Sequence, residues 1–343
     1  MSLSAIIFQS AEKKDTGKPI GKKKKSISLS GSGKFKSLYS LLTLLPILVF
    51  LGLAVKIVKA EPISSPVSGQ VLIFEKLLPP PKPYPVNKEI YLSPEITAKS
   101  VIIMDVDSAV VLYQKNADLR LLPASTTKMM AAMVVLDNYL LSDVLTVGNT
   151  RVDGNTIKLI PGEQLGVENL LYGMLIGSGN DAAEVLAEHF PGGVSAFVEA
   201  MNQKATDFML ENTHFTNPMG LDGEDHYSTA RDLAKLAMKV EANPVLAKIV
   251  STPEVVITDV SGEIKHPLKN TNELIGKVEG AKGVKTGWTE NAGECLVAWV
   301  EKEGKKVVFV VLESENRFEE TQSLVDWAFN NFEWKIIVPT NYL

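Results

Sequence analysis

Ser125 and Lys128 stand three residues apart in the stretch LLPASTTKMMAAMVVLDNYL. A serine hydroxyl is a weak nucleophile at its free pKa and needs a base within hydrogen-bond reach. On a helix, residues i and i+3 share a face, so a lysine amine at that spacing can serve the hydroxyl. To act as a base the amine must be neutral. Moving its pKa from about 10 toward about 7 corresponds to roughly 4 kcal/mol, which burial and a neighbouring cation such as Lys285 can supply. The run from Met129 to Leu136 lacks Gly and Pro and predicts an enclosed helix behind the pair. By itself the spacing also fits an N-capping serine and a lysine snorkelling to solvent. It recurs in Ser10-Ala11-Glu12-Lys13, within a polar tail.

Two further stretches give the pair company. Ser178-Gly179-Asn180 lies between two helical patterns, where a tight turn would hold two polar side chains outward. Lys285-Thr286-Gly287 follows Gly283-Val284 at the start of a strand pattern, and Gly287 would let a substrate backbone approach closely. Each is weak alone, since Ser314-Glu315-Asn316 repeats the second pattern by chance. The joint order S-x-x-K, S-x-N, K-T-G is the signal.

The elements that must position these residues are legible in outline. SVIIMDVDSAVVLYQK, from Ser100, predicts a hairpin turning at Asp107-Ser108, and ECLVAWVEKEGKKVVFVVLES predicts another turning near Glu303-Gly304. Between them, helical patterns cover Val167 to Ile176, Asn180 to His189, Val194 to Asn212 and Thr229 to Val240. FEETQSLVDWAFNNFEW, from Phe318, is amphipathic, with Leu324, Trp327, Ala328 and Phe332 on one face. The expected fold class is α+β: one antiparallel sheet built from both ends of the domain, with an all-helical lobe inserted and a cleft between them.

With its motifs framed as LLPASTTKMM, LLYGMLIGSGNDAAEVLAEH, FTNPMGLDGEDHYSTARDLAKLA and GVKTGWTENAGECLVA, the chain from about Val86 to Trp334 resembles the D-alanyl-D-alanine carboxypeptidases, low-molecular-mass penicillin-binding proteins. The resemblance implies the serine β-lactamase/DD-peptidase-like fold. Its implied substrate is a peptidoglycan stem peptide ending in D-Ala-D-Ala, with β-lactam antibiotics as covalent inhibitors. It also implies roles. Ser125 is the nucleophile and Lys128 its base; Ser178 relays a proton to the leaving amine; Asn180 holds the substrate amide and Lys128. Lys285 supplies positive potential for the terminal carboxylate and the Thr286 hydroxyl binds it. The backbone N–H groups of Ser125 and Trp288 form the oxyanion hole.

Arg317, before the last helix, is a further carboxylate ligand through bidentate geometry, or a plain surface arginine. The Asn217 to Gly220 loop and His226 to Thr229 read as a loop and a helix cap beside the cleft, with Asp232 in that helix's first turn. Cys295 reads as a small core residue.

The chain also departs from related patterns. Gly179 stands where many β-lactamases carry Asp, and no E-x-x-L-N follows to position a deacylating water, which disfavours antibiotic hydrolysis. The familiar carboxypeptidases carry a β-rich domain and an amphipathic membrane-binding helix after the catalytic domain, whereas this sequence ends at Leu343, so anchoring is expected at the N-terminus. A DD-endopeptidase cutting peptide cross-links differs only in what fits beyond the scissile bond and stands as the alternative. A β-lactamase and a non-catalytic wall-binding module are weaker readings.

Composition sets further bounds. A lone Cys295 excludes an intramolecular disulfide, and His189, His214, His226 and His266 show no metal-ligand spacing, so neither metal nor cofactor is expected. Residues 1–60 carry 11 Lys against two acidic residues, a net of +9, leaving 24 basic and 38 acidic residues, a net of −14, in the remainder. That acidic body argues against nucleic acid.

Leu38 to Val55 is 18 uncharged residues, which as a helix would span roughly 27 Å, enough to cross a bilayer. Lys22 to Lys25, Lys34 and Lys36 precede it, so the positive-inside rule places the N-terminus in the cytoplasm and the body outside. The expected organisation is a basic cytoplasmic tail (1–37) and a single-pass anchor or uncleaved signal segment (38–58). A Pro-rich extracytoplasmic linker (59–92), a catalytic domain (93–337) and a short tail (338–343) follow. Val58-Lys59-Ala60 also resembles a signal-peptidase site, and cleavage there would release the body as a secreted protein.

Overall fold

The computed structural model describes residues 82–149 and 151–336. The expected anchor at 38–58, the basic tail and most of the linker lie outside the described residues, as does the tail at 338–343. Among the described residues, no helix is long and apolar enough to cross a membrane.

The two predicted hairpins form. The first joins β2 (Ser100–Asp105) to β3 (Val111–Lys115); β1 is Tyr84–Asn87. The turn is held by Asp105, whose carboxylate accepts from Ser108 N and Oγ and, on its other oxygen, from Trp334 Nε1. The second joins β9 (Gly293–Lys302) to β10 (Lys305–Ser314) through Glu303 and Gly304. Both turn residues have positive φ, 49° and 73°. This is the two-residue turn whose twist suits a hairpin.

With β8 (Ala281–Thr289), these strands make a five-stranded antiparallel sheet in the order β3-β2-β10-β9-β8. The two ends of the catalytic domain thus meet in the sheet at β2 and β10, as the α+β expectation requires.

Strand periodicity divides the interior in two. Val307, Phe309 and Val311 face one core, completed by Leu324, Val325 and Ala328 of the C-terminal helix, Arg317–Asn331. Val308, Val310 and Leu312 face the other core, which is filled by the helical lobe. That lobe contains α1 (Lys128–Asn138), α2 (Val167–Leu175), α3 (Asn180–Glu188) and α4 (Gly193–Asp207). It is completed by α5 (Ala230–Ala242) and α6 (Pro244–Val250); the C-terminal helix is α7. In α1, Met129 to Ala132, Val134 and Val135 are all buried, matching the enclosed helix expected there.

Several elements differ from the sequence reading. The α4 helix ends at Asp207, not Asn212, because Met209 turns into positive φ (56°). Tyr84–Asn87, expected in the linker, is a strand paired antiparallel with β11 (Phe332–Lys335), so ordered structure begins before residue 93. Two small two-stranded antiparallel ribbons also form: β4 (Val144–Thr146) with β5 (Gln164–Gly166), and β6 (Glu254–Thr258) with β7 (Lys265–Lys269).

Candidate active site

The three motifs arrive from three elements. Ala124–Thr127 is a turn of 3₁₀ helix leading into α1, so Ser125 precedes the helix and Lys128 is its first residue. Ser178 and Asn180 occupy the α2–α3 connection, and Lys285 to Trp288 lie on β8, the edge strand facing the lobe. They converge on one cleft of about 760 Å³, whose lining includes Ser125, Ser178, Asn180, Thr286, Gly287 and Arg317.

Backbone strain sits at this convergence. Ala124, before the nucleophile, has φ 47°, and Ser178 has φ 55°. Left-handed backbone at non-glycine residues persists only where the surroundings enforce it. Around Ala124 the enforcing partner is Gly220, where a Cβ would lie 1.9 Å from the Ala124 carbonyl oxygen. On β8, a Cβ at Gly287 would come 2.9 Å from Ser125 N, so only glycine lets the strand edge meet the nucleophile's backbone. The tight turn expected at Gly179 falls instead on Ser178. Gly179 has φ −63°, and its own constraint is space, since a Cβ there would sit 2.7 Å from Asp181 Oδ1.

Lys128 is fully buried. Its Nζ lies 2.8 Å from Ser125 Oγ, 2.6 Å from Asn180 Oδ1 and 2.7 Å from the Met219 carbonyl. All three accept from Nζ, matching the three N–H donors of an ammonium; on losing a proton the amine can keep the bonds to the Asn180 and Met219 oxygens and turn its lone pair to the serine hydroxyl. Burial pushes the Lys128 amine down to about 7, and the Asp181 charge opposes that shift. Desolvation is therefore the driving cause, where the sequence reading had assigned part of the shift to Lys285.

Lys285 is 1% exposed and donates to Ser178 Oγ and to the Thr286 carbonyl, both at 2.8 Å. Its amine is held well below the usual lysine range, by burial first and then by Lys128 and Arg317. That direction disfavours the ammonium form of Lys285, while the Arg317 guanidinium keeps its charge and adds positive potential at the same end of the cleft. Arg317 Nη1 donates to the Gly287 carbonyl at 2.7 Å and the side chain lines the cleft. Its burial and its stacking over Phe318 distinguish it from a plain surface arginine. Thr286 Oγ1 hydrogen-bonds Thr271 Oγ1 at 2.7 Å, and Trp288, 62% exposed, stands at the mouth.

All nine predicted site residues are thus assembled, and three contributors were missed. The Met219 carbonyl holds Lys128, and its loop is shaped by Asn217 Oδ1, which accepts from the N–H groups of Met219, Gly220 and Leu221. Thr271 arrives on the turn after β7. The Asp181 carboxylate accepts from Ile157 N and Leu159 N, tying down the segment that closes over the second motif. That segment returns two backbone contacts: Asn180 Nδ2 donates to the Asp153 carbonyl, and Asn180 N to the Asn155 carbonyl at 2.7 Å. Asp181's place directly after the motif was the available signal.

His226 supports the site from behind. Its Nδ1 accepts from Thr216 N at 3.0 Å, which leaves Nε2–H to donate to Thr127 Oγ1 at 2.9 Å. Burial, and then His214, push its pKa down to about 4, so it stays neutral at ordinary pH. Thr229 caps α5 by accepting from Asp232 N, as expected. Cys295 is fully buried in β9. Among the described residues, no group of three or more His, Cys, Asp or Glu is placed to hold a metal ion.

Comparison with known proteins agrees with this geometry. Residues 87–316 match the peptidase S11 family model, described as D-alanyl-D-alanine carboxypeptidase. The D-alanyl-D-alanine carboxypeptidase DacF of Bacillus subtilis is 36% identical over 246 residues, covering 69% of this chain and 63% of that protein. The chain therefore spans less than two thirds of that relative's length. A D-alanyl-D-alanine endopeptidase of Pseudomonas aeruginosa is 36% identical over 250 residues, covering 70% of this chain and 77% of that one. Among solved structures, a Streptomyces DD-transpeptidase superposes with a TM-score of 0.67 at 33% identity, covering 70% of this chain and all of that one. With its S-x-x-K, S-x-N and K-T-G residues in one cleft, the chain belongs to the D-alanyl-D-alanine carboxypeptidase family of serine peptidases.

Proposed function

We propose that the protein is a serine-type D-Ala-D-Ala carboxypeptidase acting on peptidoglycan stem peptides. The observation that carries this reading is the 2.8 Å contact between Ser125 Oγ and the nitrogen of a fully buried lysine, an amine that burial pushes down to about 7. Ser125 Oγ attacks the carbonyl between the two D-alanines as its proton passes to Lys128. The N–H groups of Ser125 and Trp288 stabilise the oxyanion. The proton then moves by way of Ser178 to the leaving nitrogen, the C–N bond breaks, and D-alanine departs. Water, activated by Lys128, clears the acyl-enzyme.

Asn180 holds Lys128 and the substrate amide. Arg317 and Thr286 receive the terminal carboxylate, whose arrival favours the protonated form of Lys285. β-Lactams enter by the same attack on Ser125 and clear slowly. The catalytic body lies outside the cytoplasmic membrane, held by the segment at 38–58 or released by cleavage after Ala60. Support for this placement is the lysine-rich leader ahead of 18 uncharged residues and the wall substrate of the family.

The test is D-alanine release from a peptide ending in D-Ala-D-Ala, with Ser125→Ala as control. Release by the parent protein and none by the variant supports the reading. No release by either contradicts it.

A further inference from the structure

His266, on β7, is buried and does not line the cleft. Its Nδ1 lies 3.2 Å from the Ile157 carbonyl and its Nε2 lies 2.6 Å from Glu163 Oε1. A carbonyl only accepts, so Nδ1 carries a proton, and the Nε2 contact needs a second proton held between imidazole and carboxylate. Both side chains are sealed from solvent, at 7% and 0% exposure. Glu163 Oε2 is also used, accepting from Ile160 N at 2.9 Å. A buried polar pair with every atom engaged is costly to break, and it fixes the backbone it touches.

That backbone is the segment behind the second motif. Ile157 N donates to Asp181 while the Ile157 carbonyl faces His266, so the residue is gripped from both sides. Its side chain fills a socket of glycines: a Cβ at Gly173, Gly177 or Gly179 would fall 2.5, 2.6 or 3.0 Å from it. Just upstream, the Asn155 carbonyl accepts from Asn180 N and the Asp153 carbonyl accepts from Asn180 Nδ2. The second contact decides which way the Asn180 amide points, and it turns Oδ1 toward Lys128 Nζ, 2.6 Å away. β7 runs on to Thr271, whose hydroxyl bonds Thr286. His266 therefore stands where the supports of the second and third motifs meet.

We propose that His266, braced by Glu163, is a positioning residue for acyl transfer, acting through the Ile157 carbonyl to hold Asn180, and with it Lys128, in register with Ser125. The inference rests on the acyl-transfer reading above. The imidazole donates to the Ile157 carbonyl, and Ile157 keeps residues 153–155 against the S-x-N turn. The Asp153 carbonyl then presents the Asn180 oxygen, and not its NH2 group, to the lysine. Loss of the first contact frees the segment, and an Asn180 amide free to turn no longer holds the base. A displacement of about 1 Å can cost about 10²-fold in rate even when its source is far from the chemistry.

Asparagine and glutamine divide the two contacts of the imidazole, because asparagine places its NH2 near the Nδ1 position and glutamine near that of Nε2. His266→Asn keeps a donor for the Ile157 carbonyl; His266→Gln keeps only the one for Glu163. The full-length parent, both variants and Ile157→Ala, which empties the socket, are compared by the rate constant for Ser125 acylation by a chromogenic cephalosporin. That constant reads only folded molecules. The expected rate is about tenfold or more below the parent in His266→Gln and Ile157→Ala, and within about threefold of it in His266→Asn. In an Asn180→Ala background, His266→Gln should cost less than about twofold, because the group it positions is gone. Equal rates in the Asn and Gln variants, or an undiminished His266→Gln effect without Asn180, would overturn the proposal and make His266 a purely structural residue. So would a Gln variant that fails to fold beside an Ile157→Ala variant of parental rate. A parent that is not acylated would remove the acyl-transfer reading and this inference together.

Discussion

On β10, Val307 to Leu312 alternate between two cores, and every one of these side chains is apolar and fully buried. A short distance away, the cleft buries Lys128 and Lys285 just as deeply and adds left-handed backbone at Ala124 and Ser178. The sheet resembles an ordinary hydrophobic interior, whereas the cleft breaks several rules of stable packing at once. The difference shows how the two regions depend on each other. Strain and desolvated amines persist where rigid neighbours leave no alternative, and here those neighbours are β8, α1 and the Gly220 loop. Function is concentrated where the fold is locally worst, and the sheet's apolar burial offsets the cost.

Substitutions in each region should separate the two properties. Lys128→Met removes the base and a buried amine together. The expected outcome is a fall of about 10³-fold or more in the rate of β-lactam acylation, with a thermal midpoint unchanged or raised. A large drop in the midpoint would mean that Lys128 is structural. Phe309→Ala, in the sheet, should do the reverse, lowering stability by about 3–5 kcal/mol in denaturant unfolding. The acylation rate of the molecules that remain folded should change little.

Asp181→Asn should give the smallest of the three effects. The side chain keeps one acceptor for the 157–159 segment and loses the charge that opposes the downward shift of Lys128. Acylation should fall by about tenfold, and the midpoint of its pH profile should move to lower pH. A profile displaced upward would mean that Asp181 acts on Lys128 in some other way.

The sequence made the chemistry more legible than its supports. Period-two runs flanking Glu303-Gly304 marked the central hairpin, and the Gly-free run after Lys128 marked the buried helix, because local pattern and tertiary role agree there. β7 was hidden by Pro267, which discourages a strand assignment yet sits in a two-stranded ribbon. β1 was hidden by prolines on both sides of Tyr84, and its partner lies about 250 residues away. Met219 reaches Lys128 through a backbone carbonyl, a contact that leaves no mark on residue type. Burial as a source of the low lysine pKa was legible from the enclosed helix, but the opposing charge of Asp181 was not, since it depends on how the second motif folds against Lys128.

The account turns on a neutral Lys128 at working pH, and the most direct test is the rate of Ser125 acylation by a β-lactam as a function of pH. A base with its pKa near about 7 predicts a rate that is half-maximal there, falls about tenfold for each pH unit below and is level above, until other groups titrate. A rate that climbs only above about pH 9, where an ordinary lysine loses its proton, would contradict the account. So would a rate indifferent to pH between about 5 and 8.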